Sequence, residues 1–186
     1  MNRRELLKLI AATTGTAMIG GTAASLLTGC ATQSTAPLVF TADNIVLLDE
    51  IAETILPRTE TPGAKDAKVG EFMTVFVTDC YTPEEQEVFH KGLVAFEEAC
   101  KNTYGRSFMA LQADEREQLV SKLDQEARTQ AASGNIQYFT MIKQLTLFGF
   151  FTSKEGGTQV LRHAPIPGRY DGELAYKPGD RAWATK

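Results

Sequence analysis

The sequence is poor in the residues that metal and redox chemistry need. It has two histidines, three cysteines and one tryptophan in 186 residues. No His-x₃-His, Cys-x₂-Cys or Cys-x₂-Cys-His spacing occurs, so neither a zinc site nor a c-type haem is indicated. Gly-x-Gly-x-x-Gly and Gly-x-Ser-x-Gly are also absent, which leaves no dinucleotide fingerprint and no hydrolase nucleophile elbow. Basic residues are in deficit: 19 Lys and Arg stand against 23 Asp and Glu, a net charge of -4. With no positive surplus to neutralise phosphates, the composition argues against nucleic-acid binding. A permanent membrane span wants about 20 strongly apolar residues, and no run of that kind occurs.

What is present begins with an address. Asn2-Arg3-Arg4-Glu5-Leu6-Leu7-Lys8 resembles a twin-arginine export signal, with Arg3 and Arg4 as its pair. The apolar stretch behind it, Leu9 to Leu27, is rich in Ala, Gly and Thr. Gly15, Gly20 and Gly21 each weaken a helix by about 1 kcal/mol relative to Ala, so the stretch suits a processed signal better than an anchor. It ends in Leu27-Thr28-Gly29-Cys30, which resembles the lipobox of bacterial lipoproteins. The Cys30 thiol would carry the lipid. At about 0.8 kcal/mol per buried CH₂, two or three acyl chains hold a protein stably on a membrane. Ala31 rather than Asp follows the cysteine and favours the outer membrane. The expected organisation is a signal peptide over 1–29, a lipidated Cys30 with a tether over 30–40, a helical domain over 41–152 and an irregular segment over 153–186. Cleavage removes Arg3, Arg4, Glu5 and Lys8, leaving 157 residues at net -6. That length suits one core.

The body reads as about five helices in a mainly α bundle. Thr41 is placed to cap a first helix carrying Ile45, Leu48, Ile51, Ala52 and Ile55 at helical spacing, and Pro57 stops it. Val69, Phe72, Met73, Phe76 and Val77 form a second stripe. Thr82-Pro83-Glu84-Glu85 is a strong helix start, combining a cap, a first-turn proline and acids at the positive end. That third helix carries Val88, Phe89, Leu93, Phe96 and Ala99, and Gly105 ends it. A fourth is expected from about Ala113 to Ala131, with Leu119, Val120 and Leu123 inside. The fifth, from about Ile136 to Phe151, is apolar nearly all round and is expected to be the buried central helix.

From Ser153 onward the chain is Gly- and Pro-rich yet carries Leu161, Ile166, Tyr170, Tyr176 and Trp183. Such a segment cannot be a long helix, and its apolar residues argue against a free tail. It packs across its own helices or wraps a partner, with Tyr170, Tyr176 and Trp183 as candidate partner-binding residues.

Chemistry-bearing residues are few. His90 sits inside the third helix, where a lone His is usually a surface or satisfied core residue. His163 has no fixed carboxylate partner in the sequence; a pairing with Asp171 is the one enzymatic alternative. Glu84, Glu85 and Glu87 read as a solvated helix start. After lipidation of Cys30 the remaining thiols are Cys80 and Cys100, in an oxidising compartment. An unbroken third helix puts Cys100 about 25 Å along its axis from Pro83. A disulfide needs Cα atoms within about 7 Å. The two are therefore buried free thiols, or one of them is an intermolecular thiol toward a partner.

Several stretches together resemble the gluconate 2-dehydrogenase subunit 3 family. They are Ile55-Leu56-Pro57-Arg58-Thr59-Glu60-Thr61-Pro62-Gly63-Ala64, then Val69-Gly70-Glu71-Phe72. Phe151-Thr152-Ser153-Lys154-Glu155-Gly156, Pro165-Ile166-Pro167-Gly168-Arg169-Tyr170-Asp171-Gly172 and Gly179-Asp180-Arg181-Ala182-Trp183-Ala184 follow in order. The resemblance implies a non-catalytic small subunit with no cofactor of its own, whose partner is a large dehydrogenase subunit holding FAD. It also implies a multihaem cytochrome c, carrying haem c, as a frequent third subunit. The twin-arginine translocase passes folded proteins, so such a subunit can carry its loaded partner into the periplasm and hold it at a membrane through Cys30. The alternative is a free-standing periplasmic lipoprotein with a ligand-binding or envelope role.

Overall fold

A computed structural model describes residues 39–131, 137–166, 168–169 and 171–184. The leader, with Arg3, Arg4 and Cys30, lies outside the described residues. Among the described residues five α-helices follow one another: α1 Ala42–Ile55, α2 Val69–Cys80, α3 Pro83–Tyr104, α4 Ala113–Ala131 and α5 Tyr138–Thr152. Short 3₁₀ turns occupy Ala64–Ala67 and Phe108–Ala110, and a π turn spans Gly156–Val160. Strand pairing among the described residues is limited to an isolated bridge between Arg162 and Trp183. The expected mainly α class holds.

The helix starts follow local chemistry. Thr41 Oγ1 accepts from the Asn44 amide at 3.2 Å, and Asn44 Oδ1 accepts from the Thr41 amide at 3.0 Å. Each bond satisfies a donor that the helix itself leaves free. The same reciprocal pair recurs at α3, where Thr82 accepts from the Glu85 amide and Glu85 accepts from the Thr82 amide at 2.9 Å. Pro83 takes the first helical position, where no amide is needed. Gly105 closes α3 by donating to the Lys101 carbonyl at 2.8 Å.

The core gathers one stripe from each helix. Leu48, Ile51 and Ala52 of α1 meet Val69, Met73 and Val77 of α2. Phe89, Leu93, Phe96 and Cys100 recur along one face of α3, and Leu119, Leu123 and Ala127 along α4. Phe96 meets Phe108 edge-to-face with ring centroids 4.9 Å apart. Helix α5 contacts all four other helices and buries Phe139, Ile142, Leu145 and Phe150.

One expectation needs correcting. Helix α5 is central but not buried all round, because Leu147 is 38% and Phe148 49% exposed. Four neighbours cover its inner circumference, and the outer strip lies beside α2 with nothing above it among the described residues. Gly149 lets α2 come this close: a Cβ there would stand 2.5 Å from Phe72 Cδ1.

Candidate functional site

The most motif-like stretch, from Ile55 to Phe72, folds as a clasp. Glu53 reaches forward from α1 and accepts from the Arg58 amide at 2.8 Å and the Lys65 amide at 2.9 Å. Asp66 accepts from the Gly63 amide at 2.9 Å and pairs with Arg58. Asp49 accepts from the Gly70 amide at 2.7 Å, supplying the cap for α2 that Lys68 does not. Burial nonetheless pushes the Asp49 carboxyl above its usual range, with the Gly70 bond opposing. Glu50 pairs with Lys65 and, at 2.6 Å, with Arg116 of α4. Arg116 also donates to the Met109 carbonyl at 3.0 Å and lies over the Phe108 ring. These carboxylates serve backbone amides and structural cations, so the motif builds a scaffold.

His163 lies elsewhere, in an open cleft of about 390 Å³ lined by Thr158, Leu161, Arg162, Asp180 and Arg181. Asp171, the carboxylate considered beside it from sequence, instead pairs with Arg169 at 3.3 Å and accepts from the Glu173 amide at 3.2 Å. Asp180 is the acid that lines the cleft, and its Oδ2 already accepts from the Lys177 amide at 2.9 Å. His90 stacks on Phe40 with ring centroids 4.1 Å apart, and burial lowers its pKa. No cluster of three or more His, Cys, Asp or Glu able to hold a metal occurs among the described residues.

The two thiols differ. Cys80 is exposed at the end of α2. Cys100 is buried, donates to the Arg106 carbonyl at 3.2 Å, and has its pKa raised by burial. Of these two, Cys80 alone is therefore open to a thiol on another chain.

Two apolar surfaces remain. The first is the C-terminal segment. Arg162 donates to the Ala182 carbonyl at 2.7 Å and accepts from the Ala184 amide at 2.9 Å. Its guanidinium lies 4.0 Å from the centre of the Trp183 ring. Between these closing contacts the chain holds Ile166, Leu174 and Tyr176 outward, Tyr176 at 74% exposure. Tyr170 lies outside the described residues. The second surface is an aromatic ridge on α2 and α5. The Phe148 ring stands 5.7 Å from Phe72 and 5.5 Å from Phe76, and Phe76 stands 5.6 Å from Tyr81. Sequence reading had no reason to separate Phe72 and Phe76 from Met73 and Val77. The available signal was that α2 and α5 each carry more apolar positions than one buried stripe can use.

Residues 42–168, more than half of the chain, match the family described as gluconate 2-dehydrogenase subunit 3. No curated protein and no solved structure matches.

Proposed function

We propose a function for this chain as what its match over residues 42–168 makes it: it belongs to the gluconate 2-dehydrogenase subunit 3 family. It is an accessory subunit of that type, and its partner is a dehydrogenase. In the proposed complex the large subunit is a periplasmic flavoenzyme that oxidises a sugar or alcohol, and FAD belongs to that subunit. A multihaem cytochrome c takes the electrons onward. Arg3 and Arg4 address the pair to the twin-arginine translocase, so the large subunit crosses folded and loaded. Cys30 carries the lipid that keeps the complex on the membrane.

The observation that carries this reading is the C-terminal segment. It leaves Ile166, Leu174 and Tyr176 exposed. Exposed apolar side chains recurring along one segment suit a partner surface. The clasp around Glu53 and Asp49 supports it too, because the acids nearest the family motif are committed to structure.

The test is a chain with Arg3 and Arg4 both changed to Lys, followed by dye-linked dehydrogenase activity in separated cell fractions. Activity should stay in the cytoplasm. Activity that still reaches the periplasm overturns the export role. A Cys30→Ser chain should release the activity from membranes into the soluble periplasmic fraction.

A further inference from the structure

Helix α2 is apolar on two faces, and only one of them is fully buried by the fold. Val69, Met73 and Val77 are fully buried in the core. Phe72 and Phe76 are only partly covered, and Val75 is 56% exposed. Phe72 and Phe76 adjoin Phe148 of α5, itself 49% exposed. Scattered apolar residues at a surface need no explanation, but a contiguous group on two packed helices does. Phe148 meets Phe72 and Phe76 edge-on, and Phe72 packs against Gly149, so little side-chain freedom is left to lose on binding.

Charge selects the occupant. The charged residues of α2 are Glu71 and Asp79, with no Lys or Arg on the helix. Residues 39–161 carry 19 acidic and 11 basic side chains, a net charge of -8. A second copy of so acidic a body, or an anionic lipid surface, would meet like charge. A protein with an apolar recess rimmed by Lys and Arg would meet opposite charge around an apolar centre. We infer that the ridge formed by Phe72, Val75, Phe76 and Phe148 is a face on which the dehydrogenase subunit sits, in addition to the C-terminal segment. This inference rests on the accessory-subunit reading above. Phe148 and Phe76 are its anchors, since rigid aromatic groups at the centre of an interface carry most of its affinity.

The test uses the full chain with a C-terminal affinity tag, expressed in its native cell and purified from membranes. Co-purifying dehydrogenase activity is measured with a dye acceptor. Val75→Lys and Phe148→Ser should each lower the recovered activity at least tenfold. Val94→Lys, at a 60% exposed position on α3, should match the wild type. Circular dichroism and thermal midpoint keep folding separate from docking, and Val75→Lys carries the test if Phe148→Ser proves unstable. Wild-type recovery in both ridge variants overturns the proposal. So does a ridge variant that turns a dimer of this chain into a monomer while retaining the dehydrogenase, because the occupant is then a second copy. If the wild-type chain brings no dehydrogenase with it, the accessory-subunit reading fails and the docking face fails with it.

Discussion

Asp49 accepts a hydrogen bond from the backbone amide of Gly70 at 2.7 Å, across 21 residues of sequence, and so ties α1 to the first turn of α2. A Cβ at Gly70 would stand 2.6 Å from the Ile45 carbonyl oxygen and 2.8 Å from the Asp49 amide nitrogen. Both obstacles include backbone, which cannot swing aside. Gly70→Ala should therefore cost about 2 kcal/mol through overpacking. Urea denaturation of the purified body checks it, and an unchanged midpoint would show that α1 and α2 can separate without penalty.

Glu50 sits between Lys65 and Arg116, with the Arg116 side chain only 19% exposed. Removing the carboxylate leaves a mostly covered guanidinium without its acid. Glu50→Ala should lower stability by about 2 kcal/mol, within the range for hydrogen bonds to charged groups. Glu87→Ala, at an exposed pair with Lys91, should cost less than about 0.5 kcal/mol. Thermal melts of the two variants, compared side by side, test the contrast.

Asp124 receives Lys143 from α5 and Arg128 from its own helix, each at 2.7 Å. The Lys143 hydrogen bond is the main cause that holds its carboxyl below the usual range, with Arg128 adding to it. A carboxyl depressed in the folded state contributes stability above its unfolded pKa, and that contribution is lost as pH falls through the folded pKa. Asp124→Asn should thus lose about 1 kcal/mol at pH 7. The gap from wild type should begin to narrow below the unfolded aspartate pKa of about 3.9 and close below the lower folded value. Melts at pH 7 and pH 3 read the difference.

Cys80 should react with a thiol reagent in the folded protein, and Cys100 only on unfolding. Exposure separates them, and burial also keeps the Cys100 thiol protonated to higher pH. In a Cys30→Ser chain, mass spectrometry after brief alkylation at pH 8 should find one modified thiol, at position 80. Comparable labelling of Cys100 would mean that the Arg106 contact opens readily.

Thr82→Ala removes the acceptor for the Glu85 amide and should destabilise α3 by about 1 kcal/mol. Amide hydrogen exchange should rise first in the opening turn of that helix.

Much of the helical body was legible because its signals are local. A cap, a first-turn proline and a closing glycine act within one turn of the residues they organise. Thr41, Thr82-Pro83 and Gly105 could therefore be read without knowing what they pack against. Periodicity likewise marked Leu48, Ile51, Phe89 and Phe96 as inward-facing, since a helix repeats every 3.6 residues wherever it sits. The candidate site was less legible. Glu53 reaches Lys65 over 12 positions and Asp49 reaches Gly70 over 21, and no local pattern announces such partners.

The sequence alone thus determined the mainly α class, the capped helix starts and the poverty of catalytic groups, because these depend on neighbours along the chain. Tertiary structure decided which apolar residues are left over. Phe72 and Met73 are adjacent and both apolar, and Leu145 and Phe148 lie one helical turn apart and are both apolar. Packing four helices around α5 buried Met73 and Leu145 and left Phe72 only partly covered and Phe148 half exposed. A helix has one circumference, and its neighbours cover only part of it.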